Sequence, residues 1–263
     1  SDESHTGEFI AQIVLKAINL IGWSHFAGVT SDNTGNTRIA CQILCAEIKT
    51  LIQVPDICHH LNLLCKDITQ LSMFSMMIKH LRSIITYFRK SHAATDALNK
   101  ARKSMNINRG LEGIGKTRFA TVCILALSLK RCFPTLRQIV DTHQVKFPSH
   151  KSGLTGLLMS SSSHSLDFES QITRFTLILA PIAKSIACLE SSRTDLSDIS
   201  LFYFAIGATL KQIFDNNNNP FSPEEAGQIR AIFNSQFRKA LSEGPTDAPI
   251  CHNPLNELMQ GRD

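Results

Sequence analysis

Phe26-Ala27-Gly28-Val29-Thr30-Ser31-Asp32-Asn33 is the stretch on which the fold turns. Its start, Phe26 to Thr30, has the aromatic and β-branched content of a short strand. A carboxylate follows at once, ahead of a helical run from about Thr34 to Leu51. Upstream, Phe9, Ile10, Ile13, Val14, Ala17, Ile18 and Ile21 recur with the 3.6-residue period of a buried helix over Gly7 to Ile21, with Thr6 placed as its N-cap and Gly22 as its stop. Downstream, Leu51 to Val54 reads as a second brief strand, closed by Pro55 and followed by a helix carrying Leu61, Leu64, Cys65 and Ile68.

Beyond Ser72 the strand signal fades and the pattern is helical, over roughly 72–90, 92–105, 117–145, 166–190, 197–214 and 222–242. The breaks follow composition. Asn106 to Gly115 is rich in Gly and Asn, Phe147 to His164 holds Pro148, Gly153, Gly156 and four serines in a row, and Asp215 to Pro223 has four asparagines and two prolines. The expected fold class is therefore a mostly helical α/β chain: a partial α/β domain over residues 1–105, then an all-helical domain over 106–263.

Composition narrows the function classes. The chain has 263 residues, 43% hydrophobic and 19% charged, and no uninterrupted apolar run reaches the roughly 18 residues of a membrane span. The opening Ser1-Asp2-Glu3-Ser4-His5-Thr6 has neither the basic start nor the apolar core of a secretory signal, and a chain that starts at Ser1 reads as an excised or trimmed piece. The expectation is a soluble intracellular protein without a membrane partner. Eight cysteines (41, 45, 58, 65, 123, 132, 188, 251) are scattered through aliphatic, helix-like sequence, which suits reduced, buried thiols better than a disulfide framework. Cys58, His59, His60 and Cys65 invite structural zinc, but no Cys-x-x-Cys pair provides the usual spacing.

Charge is unevenly spread. Lys79 to Lys146 holds fourteen Lys or Arg against three acids, a net +11 where the whole chain has +5 and the remainder therefore −6. Arg89-Lys90, Lys100-Ala101-Arg102-Lys103, Arg109, Lys116, Arg118 and Lys130-Arg131 form clusters that read either as a phosphate footprint for nucleic acid or as a solvated basic face.

Three signatures carry the chemistry. Asp32, between a strand end and a helix start, is placed to hold a hard cation such as Mg²⁺ at a sheet edge, or else to cap the helix that follows. Asp56-Ile57-Cys58-His59-His60-Leu61-Asn62-Leu63 comes next, and Lys116-Thr117-Arg118-Phe119 stands further on. In this order and spacing the three resemble hAT-family transposases, especially the transposase-like proteins abundant in fungi. Asp56-x-x-His59 is similar to the Cys-or-Asp-x-x-His motif of that family, and Thr117-Arg118-Phe119 resembles its Thr-Arg-Trp segment with Phe in place of Trp. Leu179 to Lys184 and Cys188 to Ser192 look like the family's helical insertion.

The resemblance implies part of a ribonuclease-H-like core, followed by the helical insertion. In an intact parent it implies Mg²⁺-dependent DNA cleavage and strand transfer in the nucleus. By the same resemblance Asp32 is a catalytic metal ligand, and His59 rather than His60 sits near the DNA. Arg89, Lys90, Lys100, Arg102, Lys103, Lys116 and Arg118 are the expected DNA contacts, and an intact protein would be a homo-oligomer. Two of the family's three acids have no counterpart. The strand that should carry the first Asp has nothing to match it before Gly7, and Glu169 and Glu190 stand for the closing Glu only by default, so this chain is expected to bind DNA without catalysing transposition. Two other readings stay open. Gly110-Leu111-Glu112-Gly113-Ile114-Gly115-Lys116-Thr117 matches the letters of a phosphate-binding P-loop, although the polar stretch before it lacks a strand pattern and Ile139-Val140-Asp141 is a weak second strand. A non-catalytic helical interaction protein is the other.

Overall fold

The computed structural model describes residues 6–32, 34–113, 120–191 and 196–242. Helix predominates, and the two strands described form one small parallel sheet, so the chain is a mostly helical α/β protein. Described parts of Ser1–Leu61 and Arg230–Asp263 make one compact unit, and those of Asn62–Ile229 make another. The expected division near residue 105 falls within the second unit, because helices on both sides of that point pack on one another.

In the first unit, α1 (Gly7–Ile21) begins where the Thr6 hydroxyl accepts the Phe9 N–H at 3.2 Å. It ends at Gly22, whose φ of 104° is open to glycine at little cost and whose N–H returns to the Ile18 carbonyl. A single 3₁₀ turn (Trp23–His25) leads to β1 (Gly28–Ser31), then α2 (Gly35–Glu47), β2 (Ile52–Pro55) and α3 (Ile57–Thr69). β1 and β2 pair in parallel, Gly28 opposite Ile52 and Ser31 opposite Pro55, with α2 as the helical crossover that parallel pairing requires. Ala11 and Ile18 of α1, Ala40 and Leu44 of α2 and Leu51 form the buried centre, with Val14, Phe26 and Val29 against it. α2 packs on both strands, while Gly28 and Thr30 stay exposed and Ile52 is 52% exposed.

In the second unit α3 continues into α4 (Ser72–Lys90), α5 (His92–Ser104), α6 (Ala120–Asp141), α7 (Gly153–Leu158), α8 (Ser163–Leu189) and α9 (Leu196–Asp215), and α10 (Pro223–Ser242) starts there. α6 and α8 are the central pair, with α4, α5, α7 and α9 packed around them. Phe74, Leu81 and Ile84 of α4, Cys123, Leu129 and Phe133 of α6, and Ile172, Phe175 and Leu179 of α8 are all essentially inaccessible to solvent. Phe74 meets Phe175 edge-on at 5.1 Å between ring centroids, and Phe133 meets Phe168 at 5.9 Å. Burial pushes the Cys65 thiol far up, with Cys123 adding to it, and raises Cys123 to about 12, so both stay protonated and neither is a ready thiolate ligand. α8 is long and apolar enough to cross a membrane by length and composition alone. Its Phe168, Ile172, Phe175, Ile178, Leu179 and Ile182 are instead core, and its Glu169 and Arg174 form ion pairs inside this unit, so a membrane protein is not indicated.

α10 opens on a reciprocal capping box. The Ser222 N–H donates to Glu225 Oε2 at 2.8 Å and the Glu225 N–H to Ser222 Oγ at 3.2 Å, with Pro223 at the first helical position. Arg174 of α8 donates to the same Glu225 oxygen at 2.6 Å and lies over the Phe221 ring at 4.8 Å. Burial acts to raise the Glu225 carboxyl, but the bonds from Arg174 and Ser222 outweigh it and hold the group below its usual value. A depressed folded value means that this stabilisation is full above the unfolded carboxyl pKa, and is lost as pH falls through the folded one. Glu225→Gln is therefore expected to cost about 1 kcal/mol near neutral pH and to remove that share of the acid sensitivity, read from urea midpoints between pH 7 and about pH 3.

Candidate nucleic-acid interface and acidic strand edge

Parallel pairing brings two of the signature carboxylates to one edge. Because Ser31 lies opposite Pro55, Asp32 and Asp56 each stand one residue past the C-terminal end of neighbouring strands, the side of an open α/β sheet where ligands bind. Asp32 is exposed. Its Oδ1 accepts from the Thr37 hydroxyl at 3.1 Å and its carbonyl oxygen accepts from the same group, which ties it to the first turn of α2 while Thr34 takes the cap position. Asp56 is the N-cap of α3, its Oδ1 accepting the His59 N–H at 3.0 Å. His59 is half-buried, and the ring of the buried His60 sits edge-on to it at 6.1 Å.

A pair of Mg²⁺ ions needs several carboxylate oxygens converging on one point. Asp32 and Asp56 each commit an oxygen to a helix start. Among the described residues no group of three or more His, Cys, Asp and Glu gathers as a metal ion would require. The residues present do not fit a two-metal centre. Of the default candidates for a closing acid, Glu169 is bonded to Arg137 at 2.8 Å and Glu190 caps the end of α8.

The basic residues of the second unit divide into two sets. Arg89 and Lys90 occupy the last turn of α4, and Lys100, Arg102 and Lys103 the end of α5, where cations complement the negative end of a helix dipole. Arg89, Lys90, Lys100 and Lys103 are exposed; Lys100 has Asp96 at 2.8 Å, a pair largely open to solvent. Arg102 turns inward instead. Its guanidinium donates to Asn99 Oδ1 at 2.9 Å and to the Asn108 carbonyl at 2.6 Å. From α6, Arg131 donates to the carbonyls of Arg109 and Gly110 at 3.1 and 2.9 Å, and Ser128 Oγ accepts the Glu112 N–H. The 106–113 loop is thus held by two arginines. Lys116 and Arg118, with Thr117 and Phe119, lie outside the described residues.

The same loop bears on the P-loop letters. Helix α5 and a turn at Asn106, in the left-handed region at φ 56°, precede Gly110; no strand is found between 56 and 113. A Cβ at Gly110 would lie 2.7 Å from Arg102 Nη1, so this glycine makes room for a guanidinium. Ile139 to Asp141 is the end of helix α6 rather than a strand, and the Asp141 carboxylate accepts from the N–H and hydroxyl of Ser160.

Arg102, expected as a phosphate contact, instead anchors the loop together with Arg131 and Ser128, a role that has no local sequence pattern. The Ser222-x-x-Glu225 box was readable from spacing alone. No family model matches this chain, and no curated protein or solved structure matches it.

Proposed function

We propose that this chain binds duplex DNA without cutting it, as an interior piece of an hAT-transposase-like protein with part of a ribonuclease-H-like core. The observation that carries the reading is the parallel β1-α2-β2 unit with Asp32 and Asp56-x-x-His59 directly past its two paired strand ends. Further strands of such a core would add at the free edges of β1 and β2, and its helices would cover the exposed face, because parallel sheets are ordinarily covered on both faces. The exposed cations of α4 and α5 supply the phosphate contacts. Mg²⁺ and the nucleus belong to the parent protein in this reading.

The test is binding and nicking of labelled duplex DNA with Mg²⁺ present, beside Asp32→Ala. Binding without nicking, unchanged in Asp32→Ala, is the expected result. Nicking that Asp32→Ala abolishes would make the acidic edge a complete active site, and saturable ATP binding lost in Lys116→Ala would transfer the function to the P-loop letters.

A further inference from the structure

An apolar groove of about 690 Å³ runs along α8 between α6 and α9. Leu127 of α6, Leu177 and Pro181 of α8, and Phe202, Ile206 and Ile213 of α9 line it. Two of its apolar lining residues reach solvent: Leu127 and Leu177 are 38% and 39% exposed. Three of the hydroxyls within it are turned to their own helices. Thr176 donates to the Ile172 carbonyl, Ser185 to that of Pro181 and Thr209 to that of Ala205. The charged groups that line it are the ammonium of Lys130 and that of Lys184, both on exposed residues and neither with an acidic partner among the described residues.

The placement of the two lysines selects the occupant. α6 runs antiparallel to α8, since Phe133 meets Phe168 while Arg137, one turn further along α6, donates to Ser165 Oγ, one turn earlier on α8, at 3.0 Å. Lys130 is therefore level with the Thr173 end of the groove, and Lys184 stands about three helical turns away, toward Cys188. A single acyl chain has one anionic end and would leave one of the two ammonium groups unpaired. A helix covers a groove of this kind with residues at every third or fourth position. We propose that this groove docks an amphipathic α-helix of a partner protein, with acidic residues at both ends of its apolar face meeting Lys130 and Lys184.

The probe is a fluorescent helical peptide of about 15 residues, long enough to span the lined stretch of α8, with leucines on one face and a glutamate at each end of that face. A second probe carries lysines in place of the glutamates. Against the full chain, the acidic-ended peptide is expected to bind at least about tenfold more tightly than the lysine-ended one, and Lys130→Glu with Lys184→Glu to invert that order. Ala205→Trp, at an exposed position lining the groove, is expected to abolish binding of both with an unchanged circular dichroism spectrum. Equal binding of the two peptides, or none, would overturn the proposal. So would a fluorescent fatty acid that saturates the site and that neither peptide displaces, or self-association that Ala205→Trp abolishes, which would give the groove to a lipid or to a second copy of this chain.

Discussion

Raising salt from about 50 to about 200 mM is expected to weaken binding of duplex DNA by about a hundredfold, because each phosphate neutralised releases a counterion and contributes about −0.9 to the log–log slope. Arg89, Lys90, Lys100 and Lys103 are the exposed cations at the ends of α4 and α5, and four contacts set the size of the effect. Lys100 counts among them because its pair with Asp96 is solvent-exposed and worth little, so the lysine can exchange a carboxylate for a phosphate. Arg102 does not, since its donors hold Asn99 and Asn108. Lys90→Ala with Lys103→Ala should reduce the slope by about 2, measured by fluorescence anisotropy on labelled duplex. A slope near zero in the unsubstituted chain would assign these cations to helix ends alone.

Phe175→Ala is expected to destabilise the second unit by about 3–5 kcal/mol, the range for deleting a buried phenylalanine with little room to collapse. Phe175 is fully buried on α8, and its ring meets that of Phe74 from α4 edge-on at 74°. The substitution removes both the transfer free energy of the ring and the aromatic contact of Phe74. Phe175→Leu keeps most of the volume and should cost under about 1.5 kcal/mol. Urea titration followed by circular dichroism reads both; a loss below about 1 kcal/mol for the alanine variant would mean that α4 and α8 are not packed as described.

Local chemistry made much of this fold legible before any coordinates. Thr6, Gly22 and Pro55 mark ends that depend only on capping, a positive φ and a missing N–H, and each falls at the element boundary expected of it. Strand, helix and strand follow one another around Asp32 as expected, with β1 beginning two residues later and α2 stopping at Glu47. Helix α7 was hidden by Pro148, Gly153, Gly156 and the serines around it. Its buried Leu154, Leu157 and Leu158 show that packing against α6 and α8 overrides the loop-forming composition. α6 closes at Asp141 where His143 turns into the left-handed region at φ 57°, short of the expected 145. The unit boundary at Leu61 rather than near 105 was out of reach, because it is set by α4 and α5 packing on α6 and α8, contacts that no local pattern records. Within the candidate site, strand order placed Asp32 and Asp56 at one edge. The inward turn of Arg102 depends on a loop folding back over α5, which spacing does not encode.

Arg102 and Arg131 give the 106–113 loop a thermodynamic consequence of its own. Guanidinium groups bonded to the carbonyls of Asn108, Arg109 and Gly110 are withheld from any anion in solution, so a polyphosphate that recruits them has to release those carbonyls first. Loop order and the affinity of these two arginines for anions are then linked functions. Whatever favours the closed loop lowers that affinity, and an anion that captures either arginine loosens the segment by the same free energy.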